Sequence, residues 1–286
     1  MTSAMSIDDT APEIRAVQQK ASGSSFYSAM RLMPKPEREA MFAIYAFCRA
    51  VDDIADDGIG TRPERHDALT AWRRDLDALY ADSCPARVVF LKKAIDAYGL
   101  RREDFLTVID GMDMDVAEDI RGPSLAVLDL YCDRVASAVG RLSIKVFGMD
   151  EEPGFVLAHH LGRALQLTNI LRDIDEDARI DRLYLPKEYL SEAGIETSDP
   201  SRAISDPAID GVCRKVAVIA HEHYREARCV MASRPTGRIR TPKLMGAVYS
   251  QILSEMEKTG WQPPRHRVSL GKWRLLRIVI ADGLLA

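Results

Sequence analysis

Apolar residues recur at three- and four-residue spacing along almost the whole chain, and alternating β-branched runs are nearly absent, so the pattern predicts an all-α protein. Helices are expected over 35–57, 63–80, 85–98, 101–119, 124–147, 153–178, 205–232 and 240–259. Pro34 and Pro36 mark the first start, and Gly58-Ile59-Gly60 marks the end of that helix. Gly122-Pro123-Ser124 resets the chain and caps another helix. Between Leu183 and Pro200 the periodicity fades into LYLPKEYLSEAGIETSDP, which predicts an ordered loop. The chain carries no low-complexity linker and no repeat at a solenoid period. A single domain over 1–286 is therefore expected, with 1–20 as a flexible N-terminal arm and 264–286 as a C-terminal segment.

Composition narrows the class. A 47% hydrophobic content over 286 residues is ample for a packed core. The formal charge of −4, from 39 basic and 43 acidic residues, gives no global attraction to nucleic acid, which is not expected as a partner. Five scattered cysteines without CxxC or Cys/His metal spacing predict reduced thiols in a cytoplasmic setting. The polar, acidic start MTSAMSIDDTAPEI lacks the basic and apolar regions of a signal peptide. At the far end LLRIVIADGLLA is interrupted by Arg277 and Asp282 and falls short of the roughly 20 apolar residues a spanning helix needs. The expectation is a cytoplasmic protein, with peripheral contact between the apolar tail and the inner face of the membrane left open.

Two acidic clusters carry the candidate chemistry. Residues 41–57, MFAIYAFCRAVDDIADD, form an apolar helix that turns acidic in its last two turns. Acids at a helix C-terminus oppose the macrodipole, at about 0.3–1 kcal/mol each when exposed, so something should compensate for them. Asp52 and Asp56 are four apart and Asp53 and Asp56 three apart, which brings their carboxylates to one helix face. Arg49 and Tyr45 stand on that face one and two turns earlier. Closely placed carboxylates suit a hard divalent cation such as Mg²⁺, and the structureless alternative is a solvated helix end.

The second cluster, NILRDIDEDARIDRLYLP from Asn169 to Pro186, repeats the device. Gln166, Asn169, Asp173 and Asp177 form one polar seam along a helix otherwise rich in Leu and Ile. Such a seam facing a core is costly unless it bonds a ligand. Arg172, Arg179 and Arg182 add guanidinium forks suited to phosphate. Two carboxylate helices with adjacent arginines meet the requirements of a Mg²⁺–diphosphate site, against the alternative of a solvated lattice of acid and base.

SGSSFY (22–27), AIYAFCRAVDDIADD (43–57), YCDRVASAVG (131–140) and QLTNILRDIDEDARIDRLYLP (166–186) together closely resemble the squalene/phytoene synthase family of head-to-head prenyl transferases, over about residues 20–270. The SGSSFY and YCDRVASAVG wording is most similar to the bacterial branch that forms presqualene diphosphate for hopanoids. The resemblance implies an isoprenoid synthase fold, with helices around a central cavity and both acidic motifs facing each other at its mouth. It implies two farnesyl diphosphates as substrates, Mg²⁺ as cofactor with Mn²⁺ as a substitute, and hand-over to a downstream squalene-forming enzyme. No GxGxxG follows a strand, so no NADPH requirement is expected.

By residue, the resemblance places Asp52, Asp56, Asp173 and Asp177 at the metal and the reaction, with Asp53 and Asn169 as further metal positions. Tyr131 and Tyr45 are its candidates for proton transfer. Ser25, Phe26, Arg49, Gln166, Arg172, Arg182, Tyr184, Tyr249 and Arg267 correspond to positions that line the substrate sites. This chain departs from many relatives at Ser24, where they carry Lys and Lys20 is the alternative base, and at Asp133, where several carry an aromatic. Arg134, Arg141 and Lys145 either pair with Asp133 or approach diphosphate. The stretch Asp110 to Asp119 reads as a solvated face with Asp115 as its candidate for the cavity. His159 and His160 read as helix surface and core, and the two-residue spacing of His221 and His223 argues against zinc there. Phytoene or dehydrosqualene synthesis shares every motif, and a non-enzymatic helical assembly protein is the remaining alternative class.

Overall fold

The computed structural model describes residues 33–56, 59–118 and 120–271, together with Met30, Arg274 and Ile278. Ser25, Phe26, Lys20, Ser24, Trp273 and most of the apolar tail lie outside the described residues. Helix α1 (Lys35–Asp56) follows Pro34 and buries Met41, Ile44, Phe47 and Val51 along one stripe. Helix α2 (Arg62–Tyr80) starts from a capping box, in which Thr61 accepts from Glu64 N–H while Glu64 reaches back to the Thr61 backbone. A 3₁₀ turn (Val89–Leu91) precedes α3 (Lys92–Tyr98), which stops at the left-handed Gly99, φ 58°. Helix α4 (Arg102–Ala117) completes this half. Its Phe105 meets Phe47 edge-on, ring centroids 5.0 Å apart, and Phe47 meets Trp72 of α2 in the same way at 5.7 Å.

Where the periodicity predicts one helix over 124–147, the chain forms three pieces: α5 (Leu125–Cys132), capped by Ser124, a π turn (Asp133–Ser137) and α6 (Ala138–Val146). A neighbouring helix, α7 (Glu151–Arg172), holds the wide turn in place. Its Arg163 donates to Asp129 at 2.6 and 3.0 Å, to Asp133 at 3.1 Å and to Ser137 Oγ at 3.0 Å. Gly162 brings the two backbones together, since a Cβ there would lie 2.7 Å from both Cα and N of Ser137.

The predicted helix 153–178 is also interrupted. Asp173 (φ −107°, ψ 17°) ends α7 and begins α8 (Ile174–Arg179). The predicted loop contains α9 (Lys187–Glu192) and is followed by α10 (Pro200–Ser205), which Asp199 caps. Helix α11 (Ile209–Ala232) begins four residues later than the pattern predicts, beyond Pro207. Helix α12 (Arg240–Thr259) matches its predicted bounds.

Helix α7 is central, packing against α11, α6, α12, α5 and the π turn. Among the described residues there is no strand, only an isolated parallel bridge between Arg121 and Leu183. None of their helices is long and apolar enough to cross a membrane. The helices surround a cavity lined by α1, α4, the π turn, α6, α7 and α12, in agreement with the expected all-α architecture.

Candidate active site

The cavity holds about 610 Å³, within the range of small-molecule sites. On α1 its lining runs Met41, Ile44, Tyr45, Cys48, Arg49, Asp52, Asp56, steps of three and four that keep one face inward. On α7 it runs from Leu157 and Leu161 through Leu165 to Gln166, Asn169 and Asp173. Both helices therefore pass from apolar to acidic toward their C-terminal ends. Val108, Met112, Val139, Ile144 and Phe147 extend the apolar part.

The acids at the end of α1 are compensated as their position demands. Arg49 donates to Asp52 at 2.5 Å and to Asp53 at 2.6 Å. Arg65 and Arg182 cap the Ala55 carbonyl at 3.0 and 2.9 Å, and Arg182 also bonds Asp56. Asp56 and Asp177 lie in one another's field, so the two motifs meet at this end of the cavity. Burial, and then the nearby Asp56 charge, pushes the Asp52 carboxyl up to about 7. Burial, reinforced by Asp173, pushes Asp177 up to about 8. Asp173 is half-buried, yet hydrogen bonds from Arg172 (2.8 and 2.6 Å) and Arg267 (2.7 Å) outweigh the desolvation and hold it below the usual carboxylate range.

Crowded, half-neutral carboxylates are a site shaped for cations. Asn169 supplies an independent sign: its Oδ1 is buried and has no hydrogen-bond partner. An orphaned acceptor in a wall of carboxylates is the donor set a hard, oxygen-ligated divalent cation takes. A stability prediction follows from Asp177. Its folded-state pKa lies above the ordinary value of about 3.9, so without a divalent cation the folded protein binds the extra proton and loses stability as pH rises toward about 8. In chelator, Asp177→Asn should therefore raise Tm, with a gain that grows over this window and then levels off. An equal gain near pH 5 and pH 9 would remove the argument.

Of the residues expected at the site, Tyr45, Arg49, Asp52, Asp56, Tyr131, Gln166, Asn169, Arg172, Asp173, Asp177, Arg182, Tyr184, Tyr249 and Arg267 all line the cavity. Tyr249 stacks beneath the Arg172 guanidinium, 6.0 Å from its ring centroid. Asp53, expected as a further metal position, is not part of this lining: it borders a separate hollow with Ile54, Ile59 and Arg65, one residue around the helix from Asp52. Arg179 does not reach the cavity lining, and the open pairing of Asp133 resolves in favour of Arg141 (3.2 Å) and Arg163. Arg134 bonds the Asp110 carbonyl and Lys145 bonds Glu151.

Asp115 carries more than sequence reasoning gave it. It is 3% exposed and accepts from Tyr184 at 2.7 Å and Tyr131 at 3.0 Å, whose rings stack with centroids 4.8 Å apart. Burial pushes Asp115 up to about 6, against the pull of Arg182, while burial pushes both phenols well above their ordinary value. Its neighbours Asp110 and Asp113 pair with Arg73 at 2.7 and 2.5 Å, as a solvated face would. Asp115 is set apart by helical phase, visible in the sequence as an acid on the stripe of Val108, Ile109 and Met112.

A strap closes the acidic end from outside. Trp261 is buried and donates Nε1–H to the Leu171 carbonyl at 2.9 Å. Arg265 clamps Asp175 with bonds of 3.0 and 2.9 Å, which gives a structural role to an acid outside the metal seam. These contacts set Arg267 against Asp173.

A helical cavity closed at one end by paired carboxylates and arginines has the architecture of the isoprenoid synthase fold. A ligand-bound dehydrosqualene synthase shares it with a TM-score of 0.81 over 95% of both chains, at 24% identity. The chain belongs to the squalene/phytoene synthase family, whose profile matches residues 19–274. It is 51% identical to the presqualene diphosphate synthase of Zymomonas mobilis, over 99% of this chain and all of that one. It is 34% identical to a 15-cis-phytoene synthase of Paracoccus sp., over 87% of this chain and 83% of that one.

Proposed function

We propose that the protein condenses two farnesyl diphosphates head to head into presqualene diphosphate, with release of diphosphate. The observation that carries this reading is the cavity's polarity, with apolar walls leading to two carboxylate pairs flanked by Arg49, Arg172, Arg182 and Arg267. The higher identity to a presqualene than to a phytoene synthase favours the C30 product.

Asp52, Asp56, Asn169, Asp173 and Asp177 are the residues that would hold Mg²⁺ or Mn²⁺. An ion held there would supply positive charge to the diphosphate leaving group. The arginines bind the phosphate oxygens and orient both head groups. The apolar walls take the isoprenoid tails and exclude water from the allylic cation left when the donor's C–O bond breaks. The acceptor's C2–C3 double bond supplies the electrons for the new carbon–carbon bond, and loss of a proton closes the cyclopropane. Tyr131, with Asp115 behind it, can take that proton at its phenol oxygen while passing its own to the carboxylate. The released diphosphate and Tyr45 are the other candidate acceptors.

Incubation with farnesyl diphosphate and Mg²⁺, without NADPH, should give presqualene diphosphate by mass spectrometry. A C40 product from geranylgeranyl diphosphate, with none from farnesyl diphosphate, would establish phytoene synthesis instead. No product from either would leave the non-enzymatic alternative.

A further inference from the structure

Outside the cavity, α7 and α11 bring together three imidazoles that no part of the proposed reaction uses. His159 and His160 stand on α7 and His223 on α11, and one ring nitrogen of each lies within 4.8 Å of the others. His160 Nδ1 and His223 Nδ1 are 2.9 Å apart. The ring centroids are separated by 4.7, 5.1 and 5.9 Å, with His223 reaching both partners. None of the three lines the cavity. Asp173 follows His160 by 13 residues on the same helix, roughly 20 Å along its axis.

We propose that His159, His160 and His223 form a second metal site, selective for a borderline ion of the Zn²⁺ class, on the outer face of the α7–α11 pair. Imidazole nitrogen suits Zn²⁺, Co²⁺ and Ni²⁺, whereas the carboxylate and amide oxygens of the cavity suit Mg²⁺. The two ends of α7 thus offer different ligand chemistry. Tetrahedral bonds of about 2.0–2.1 Å set ligand nitrogens about 3.3–3.4 Å apart. The His160–His223 pair needs to open by only about 0.4 Å, and the exposed His159 ring is free to swing inward.

The surrounding charge is compatible with a cation. Arg163, one turn further along α7, is matched by Asp129 and Asp133, and Glu226 adds a negative charge in the field of His160. Burial keeps all three rings neutral, the form that ligates, and lowers His223 to about 4. Three protein ligands leave a fourth position for water, and the bound ion pins α7 to α11. The competing account is a neutral hydrogen bond between His160 and His223 alone, with no affinity for metal.

The test is a titration of the full chain with Zn²⁺ in excess Mg²⁺, followed by calorimetry and by elemental analysis after dialysis. One retained equivalent of Zn²⁺ is expected. The double variant His160→Gln/His223→Gln should bind it about 10- to 100-fold more weakly, at least the cost of an outer-shell change, with unchanged Mg²⁺-dependent turnover in zinc-free buffer. Substituting Co²⁺ should give the visible spectrum of a nitrogen-ligated tetrahedral ion. Should the double variant lose helicity, the exposed His159→Gln gives the same reading by itself. Absence of Zn²⁺ binding, equal affinity in the variants, or a thiolate charge-transfer band in the Co²⁺ spectrum would each overturn the site.

Discussion

Asp52→Asn and Asp173→Asn should each lower turnover with farnesyl diphosphate by about 10³-fold or more, with helicity preserved in both and Tm preserved in the Asp52 variant. Asparagine keeps the shape of aspartate and removes its charge, so the change isolates electrostatics from packing. At Asp52 it also removes a carboxylate that burial and Asp56 already crowd, so the folded protein should lose nothing in stability. At Asp173 it removes the anion that Arg172 and Arg267 share, which leaves both guanidiniums freer to bind substrate phosphate and costs the stability of that pairing. Any gain in diphosphate affinity should appear as a lower KM beside a collapsed kcat. Asp53→Asn is the internal control, since Asp53 faces the other hollow and its change should cost little. Steady-state kinetics over a Mg²⁺ series decides the matter. Near-wild-type turnover in the Asp52 variant would withdraw the first motif from the reaction.

The second large effect is on stability. Gly162→Ala should destabilise the protein by about 2–3 kcal/mol, because the added methyl group meets the Ser137 backbone at 2.7 Å where no side chain can yield. Relief requires the π turn to move off α7, which strains the bonds from Arg163 to Asp129, Asp133 and Ser137. Gly162 also lines the cavity, so activity should fall with stability. Urea unfolding provides the number, with Gly211→Ala as comparison. Nothing lies within 4 Å of a Cβ at Gly211, and the variant should be neutral or gain a few tenths of a kcal/mol. Equal stability of the two variants would show that the contact at Gly162 relaxes freely.

The sequence made most of the scaffold and much of the site visible, for physical reasons that also explain what it hid. Helix α1 could be read because three- and four-residue spacing carries both the core stripe and the carboxylates, so a single periodicity locates Met41 and Asp52 together. The same rule separates Asp53 from the cavity lining, since adjacency in sequence puts a side chain about 100° away around the helix. The π turn and the break at Asp173 escaped because both keep apolar residues inward while changing phase, and phase is set by partners such as Arg163 on another helix. Asp115 was named among five acids but not distinguished, since its phenol partners lie 16 and 69 residues away. The pairing of His160 with His223 spans 63 residues and depends on how two helices pack, for which spacing within either helix gives no signal. The resemblance to known relatives supplied residue roles that spacing does not contain.

In genetic terms, the segment from Leu125 to Val146 behaves as an α-helix with one surplus codon, housed in the π turn. Deleting that codon would restore a regular helix and turn everything upstream by about 100° relative to α6. Tyr131 would then swing away from Asp115, and Asp129 from Arg163, so two distant contacts would fail together. The insertion is consequently hard to reverse in a single step. A variant lacking one residue of the π turn should therefore lose both contacts at once.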